Sequence, residues 1–281
     1  MKKLIGILLI LLISTQLVFA GIVSGKELKG LIKSGDVVIV SARSAADYGK
    51  KHITGAVNIY HKDLYKKDGI AAMLKTPDEI AKIFGEKGIT ENSKIVIYDD
   101  GKGKFSGRLF WIFKYLGATD VNILDGHLKG WGKVRGKVTP KATEVTAAAF
   151  TATPNPAIIA DMAYVTANKD NAVLVDARSA DEFGGKDDDE EVVRPGHIPG
   201  AVNFEFKMIL NEDGTIKAKE EIAEIVKTAG ITADKEIILY CASSVRAGIV
   251  FMALTDLLEF PNVKIYDGAY YEWSASSNPI K

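Results

Sequence analysis

Cys241 is the only cysteine in a chain of 281 residues, and its neighbours set what it can do. It stands in Tyr240-Cys241-Ala242-Ser243-Ser244-Val245-Arg246-Ala247-Gly248. An apolar run, Ile237 to Leu239, precedes this stretch and reads as a buried strand; Ile249 to Leu254 follows and reads as an apolar helix. A strand handing over to a helix gathers backbone N–H groups at the positive end of the helix dipole. Such a seat favours the thiolate form of a cysteine, so nucleophilic chemistry is expected. The backbone of Ala242, Ser243, Ser244, Val245 and Ala247 can form a nest around an anionic sulfur. Ser243 and Ser244 can add hydroxyl donors, and Arg246 a fixed positive charge. Together they would stabilise a thiolate or an anion brought to it.

These residues need a scaffold, and the chain shows one by repeating itself. Lys94-Ile95-Val96-Ile97-Tyr98 returns as Glu236-Ile237-Ile238-Leu239-Tyr240, 142 positions later. At the same offset Asp125-Gly126 returns as Asp267-Gly268, and Trp131 as Trp273. Upstream, Ser41-Ala42-Arg43-Ser44 matches Asp176-Ala177-Arg178-Ser179, and His52-Ile53-Thr54-Gly55 matches His197-Ile198-Pro199-Gly200. The offsets there are 135 and 145, so the second copy carries ten more residues between its Arg and its His. They include the acidic run Asp187 to Glu191, which reads as a solvated loop. Each copy alternates apolar runs with amphipathic segments, which implies βαβ units and a mostly parallel sheet with helices on both faces. Helices are expected at Thr76 to Phe84, Ser106 to Leu116 and Ala218 to Thr228, and buried strands at Val37 to Val40 and Ala172 to Val175. Residues 138–157, rich in Thr, Ala and Pro, read as an extended linker. The resulting division is 21–137, linker, and 158–281.

Residues 1–20 stand apart. Met1-Lys2-Lys3, the apolar Leu4 to Ile13 and the Val18-Phe19-Ala20 ending read as a cleavable export signal. The rest of the chain is then expected in the periplasm without stable membrane insertion. Lys+Arg and Asp+Glu both number 36, and no basic run suggests a nucleic-acid partner. A lone cysteine cannot form a disulfide within the chain. Four dispersed histidines offer no metal spacing. No metal, no cofactor and a monomer are expected.

The ordered set Asp176-Ala177-Arg178-Ser179, Gly196 to Asn203, the Tyr240-Cys241 loop ending in Arg246, Asp267-Gly268 and Trp273 resembles a rhodanese domain. Doubled, it is similar to the tandem sulfurtransferases acting on thiosulfate or 3-mercaptopyruvate. The resemblance covers nearly the whole chain after residue 20. It implies two tandem rhodanese-like α/β domains and a ping-pong reaction. Cys241 would take a sulfane sulfur from a small donor, become a persulfide, and pass it to cyanide or a thiol. The first copy carries Asp99 where the second has Cys241, and Asp cannot carry a sulfane sulfur, so the first domain is expected to be an inactive wall of the cleft. A phosphatase is the nearest alternative within this loop class. Its loop is Cys-x5-Arg, whereas the spacing here is Cys-x4-Arg, which leaves less room for a tetrahedral phosphate.

The donor is less determined. Small residues after the cysteine, Ala242-Ser243, resemble the mercaptopyruvate enzymes; the loop-ending Arg246 resembles single-domain thiosulfate enzymes. The family's basic residue four positions after Arg178 is Glu182 here. Arg178, whose counterpart Arg43 survives in the inactive half, reads mainly as a structural ion pair but is kept with Arg194 as a candidate for holding the donor anion. An exported location favours thiosulfate. A non-catalytic sulfur-binding protein is the alternative from another class. His52, His197 and the two Asp-Gly pairs read as turn residues.

Overall fold

The computed structural model describes residues 21–186 and 188–281, so the expected export signal lies outside the described residues. The first half comprises β1 (Ile22–Val23), α1 (Gly25–Ser34), β2 (Val38–Ser41), α2 (Ala45–Lys50), β3 (His52–Ile53), β4 (Val57–Asn58), α3 (Pro77–Glu86), β5 (Lys94–Tyr98), α4 (Lys104–Tyr115), β6 (Asp120–Leu124), α5 (His127–Lys133) and β7 (Val138–Thr139). The second comprises β8 (Ile159–Ala160), α6 (Met162–Asn168), β9 (Val173–Asp176), α7 (Ala180–Phe183), β10 (Val202–Asn203), α8 (Lys219–Thr228), β11 (Ile237–Tyr240), α9 (Ala247–Met252), β12 (Val263–Tyr266) and α10 (Ala269–Ala275). Each half builds one five-stranded sheet, ordered β1-β6-β5-β2-β4 and β8-β12-β11-β9-β10. All pairings in both sheets are parallel, and the strands correspond one to one, as the sequence repeat requires.

Continuous apolar runs place these strands inside. Ile95 to Tyr98 and Ile237 to Tyr240 are fully buried, as strands covered on both faces should be. Helix ends follow local rules: Thr76 caps α3 with Glu79 in a capping box, Pro77 opens the helix, and Ser179 and Glu182 do the same for α7.

One apolar core runs through both halves, joining Ile97, Phe110 and Phe113 to Leu239, Ile249 and Leu254. It is closed by α4 against α9, the equivalent helices after β5 and β11. Gly107 and Gly248 let their backbones touch: a Cβ on Gly107 would lie 2.3 Å from the Ile249 nitrogen, and one on Gly248 2.3 Å from the Gly107 oxygen. The two Asp-Gly pairs, expected as turn residues only, also reach across. Asp125 accepts from the Ile216 N–H at 2.9 Å, and Asp267 from the Leu74 N–H at 3.1 Å.

The expected linker is extended, but it is packed as a strap. β7 pairs antiparallel with β3. Further on, Phe150 is buried against Phe84 and Phe113, and Thr153 and Asn155 donate to Leu116 and Tyr115 carbonyls at 2.9 and 2.8 Å.

Candidate active site

Cys241 follows β11 directly, with the loop Ala242 to Arg246 leading into α9. Two carbonyls pin the loop's start: Cys241 O accepts from Tyr270 N and Ala242 O from Tyr271 N, both at 3.0 Å. Ser244 adopts φ +57°, a left-handed conformation, and is fully buried. Its hydroxyl donates to the Tyr266 carbonyl, and its own carbonyl accepts from Trp111 Nε1 of the first half at 3.4 Å. The expected Ser244 hydroxyl donor is therefore turned away from any bound anion and spent on holding the loop.

Above the loop lies a cleft of about 770 Å³. Ala242, Ser243, Val245 and Arg246 form its floor; Cys241 and Ala247 are fully buried behind them. The first half contributes His61, Lys104 and Phe105, and the second Glu182, Asp189 and Tyr271. The acidic insertion is thus part of the cleft wall rather than a wholly solvated loop. Asp189 is half-buried and accepts from the Tyr271 hydroxyl at 2.6 Å.

The first half shows what this kind of loop does. Asp99, at the place of Cys241, is buried, and its carboxylate accepts from the N–H groups of Gly101, Gly103, Phe105 and Ser106 at 2.8 to 3.2 Å. Burial alone would raise this carboxyl, but the His127 ring and those N–H donors hold it below its ordinary value. The first cradle is filled by its own anion. In the second, no hydrogen bond to a protein acceptor engages the N–H of Ala242, Ser243, Ser244, Val245 or Arg246 among the described residues. That cradle is open around Cys241.

The arginines divide. Arg246 reaches the cleft, but its two terminal nitrogens each meet a Glu182 oxygen at 2.6 Å. Burial alone would lower the Arg246 guanidinium; the hydrogen bonds to Glu182 and the nearby Cys241 sulfur outweigh it and raise it. Glu182 in turn is held down at about 2: burial would raise it, but Arg246 and the Ser179 cap prevail. Arg178 and Arg194, kept as candidates for the donor anion, do not reach the cleft. Arg178 is 0% exposed, bonded to Asp176 at 2.7 Å and to the Gly196 carbonyl at 2.7 Å. Arg194 caps the end of α10 through the Ser274 and Asn278 carbonyls at 2.9 and 3.0 Å. Both are consumed by carbonyls or a carboxylate that would otherwise be buried without partners. His52 and His197 are structural, each giving Nδ1 to a carbonyl at 2.8 Å and stacking on Tyr48 or Phe183.

Sequence reasoning missed His61 and Lys104. They lie more than 130 positions from Cys241, one at the start of a 3-10 turn and one at the start of α4, neither within a motif, and the packing of α4 against α9 brings that wall to the cleft over the Cys241 loop.

Comparison with known proteins decides the family. The model of the rhodanese-like domain matches residues 24–133 and again 160–276. The chain belongs to the rhodanese-like family. It is 36% identical over 240 residues to a putative thiosulfate sulfurtransferase of Mycolicibacterium smegmatis, covering 83% of this chain and 85% of that one. It is 31% identical over 268 residues to the 3-mercaptopyruvate sulfurtransferase of Escherichia coli K12, covering 89% and 95%. Among solved structures, the Escherichia coli 3-mercaptopyruvate enzyme SseA superposes with a TM-score of 0.81 at 30% identity, covering 89% of this chain and 98% of that one. The anaerobic ergothioneine biosynthesis enzyme of Chlorobium limicola, solved with trimethyl histidine, gives 0.84 at 25% identity, covering 93% and 70%. This tandem rhodanese is therefore a sulfurtransferase.

Proposed function

We propose that the chain moves a sulfane sulfur from thiosulfate to a thiol or cyanide through a persulfide on Cys241. The Cys241 thiolate attacks the outer sulfur of thiosulfate, the sulfur–sulfur bond breaks, and sulfite leaves with the electron pair. The persulfide anion rests among the loop N–H groups. An acceptor thiolate or cyanide then takes its outer sulfur and returns the Cys241 thiolate.

The observation that carries this reading is the contrast between the cradles. The same loop closes four N–H groups on a carboxylate in the first half and leaves its N–H groups open beside a cysteine in the second. Thiosulfate is favoured over a keto acid because a planar carboxylate is best held by a guanidinium fork, and the Arg246 fork in the cleft is taken by Glu182. A compact oxyanion needs only N–H donors and a point charge. We place the enzyme in the periplasm on the strength of residues 1–20.

Intact mass is the test. Incubation with thiosulfate should add one sulfur atom, cyanide should remove it as thiocyanate, and Cys241→Ser should abolish both. Catalytic turnover separates an enzyme from a sulfur-binding protein. A mass gain that persists in Cys241→Ser, or one supported by 3-mercaptopyruvate and not by thiosulfate, overturns the proposal.

A further inference from the structure

With Arg246 paired to Glu182, Lys186 to Asp181 at 3.3 Å, Arg178 buried on Asp176, and Arg194 half-buried at the end of α10, the cleft's charge lies in an unexpected place. Lys104, at the first residue of α4, is half-buried in the cleft wall and has no carboxylate within ion-pair distance among the described residues. Its ammonium lies 4.8 Å from the centre of the Phe105 ring. The other face of the problem is His61, 4% exposed, which lines the same cleft and stacks on the same Phe105 ring at 4.6 Å.

His61 presents a donor. Its Nδ1 lies 2.6 Å from the Tyr65 hydroxyl, while its Nε2 is buried and makes no hydrogen bond. The Tyr65 phenol is pushed up to about 12 by burial, so it keeps its proton. That proton has one acceptor within reach among the described residues, His61 Nδ1. Were Nδ1 itself protonated, a buried hydroxyl hydrogen would have no acceptor, which costs more than the alternative. The ring is therefore neutral with its hydrogen on Nε2, and burial, with Arg108 and two lysines nearby, holds it in that form down to about 3. A buried N–H without an acceptor and an ammonium without a carboxylate partner, both set against the Phe105 ring in the same cleft wall, make an anion receptor.

We propose that His61 Nε2 and Lys104 Nζ form an anion subsite, supplied by the half that has no cysteine, which receives the terminal oxyanion of the sulfur donor. Arg246, across the loop, is left to the sulfur. The inactive half then selects the donor while the other half carries the sulfur. Asp99 is a positioning residue for this subsite: by gathering the N–H groups of Gly101, Gly103, Phe105 and Ser106 it sets the path of the segment bearing Lys104.

The identity of the donor rests on the sulfurtransferase reading; the subsite itself does not, and the two can be tested apart. Cys241 is the sole cysteine, so its alkylation by iodoacetate, an anion, and by neutral iodoacetamide of similar size can be followed by intact mass. Lys104→Met should lower the iodoacetate rate about tenfold while leaving the iodoacetamide rate within about twofold, as expected for loss of one nearby charge. Lys104→Arg should keep the ratio. His61→Leu should lower it, and His61→Gln, which restores a donor near Nε2, should recover part of the loss. An iodoacetate-to-iodoacetamide ratio unchanged in both Lys104→Met and His61→Leu overturns the subsite. In steady state, Lys104→Met should raise the KM of the donor it serves more than it lowers kcat; measuring thiosulfate and 3-mercaptopyruvate side by side identifies that donor, and a KM unmoved for both overturns its role in donor binding. A wild-type chain that transfers no sulfur yet shows the Lys104-dependent ratio would sink the proposed function and keep the subsite.

Discussion

At the scale of single residues, Glu182 decides how the cysteine's surroundings are charged. A glutamate four positions after Arg178 first reads as a weakened anion site. In the fold it is a two-point partner that neutralises Arg246 as seen from the cleft while fixing the guanidinium in place. Glu182→Gln keeps the capping role at the start of α7, since Gln serves in a capping box, and removes the charge. Thiosulfate KM should then fall several-fold in steady-state assay, because Arg246 would face the donor unopposed. The same variant checks the acid limb. The Glu182 carboxyl is depressed to about 2 in the fold, so its contribution to stability is complete above its ordinary value and is lost as pH falls towards about 2. Urea midpoints of the two proteins should therefore differ at neutral pH and converge between about pH 4.5 and 2; a gap that stays constant down to pH 2 would contradict the pairing.

At the scale of elements, the crossing of α4 and α9 matters more than either helix. Ser106 to Phe113 are all buried, so α4 is a core helix without a solvent face. Gly107 and Gly248 bring the two backbones together. Gly107→Ala has no soft neighbour to displace, since the Cβ would meet main-chain atoms, and should destabilise the protein by about 1–3 kcal/mol or more. The same substitution should shift Lys104 and Phe105 and so raise thiosulfate KM, whereas Gly30→Ala, inside α1 with open space around it, should leave KM unchanged and raise stability by about 0.5–1 kcal/mol. The reciprocal contacts of Asp125 with Ile216 and Asp267 with Leu74 also tie one half to the other. Asp125→Ala leaves the Ile216 N–H without its partner and should cost about 1–3 kcal/mol by urea denaturation.

At the scale of the whole molecule, two copies of one architecture share one interior. The central core draws on both sheets, while Trp131 and Trp273 each anchor a separate outer core behind its own sheet. Neither half can leave without exposing α4 or α9. Calorimetry should therefore show a single transition whose calorimetric and van't Hoff enthalpies agree. Two resolved transitions, or a soluble folded fragment 158–281, would contradict a shared core. The division of labour follows from this sharing: a half without a nucleophile can still shape and charge the cleft because it is packed rigidly over the other half's loop.

The sequence alone determined the repeat, the parallel α/β sheets, the seat of Cys241 at a strand end and the absence of a nucleophile at Asp99. These are local properties, written in periodicity, in apolar runs and in a loop whose residues are contiguous. The tertiary structure decided which charges face the cysteine. Arg178 and Arg194 look like candidates in the chain, but each side chain goes to the nearest buried acceptor: Asp176 and the Gly196 carbonyl for the first, the end of α10 for the second. Arg246 is where the loop places it, yet its partner Glu182 lies 64 positions away. His61 and Lys104 carry no motif and share a cleft with the loop after Cys241 because the first half is packed against the second, where two glycines let α4 and α9 touch. A cleft's electrostatics is the sum over side chains that arrive from distant segments, so it is set by packing and not by any one stretch of sequence.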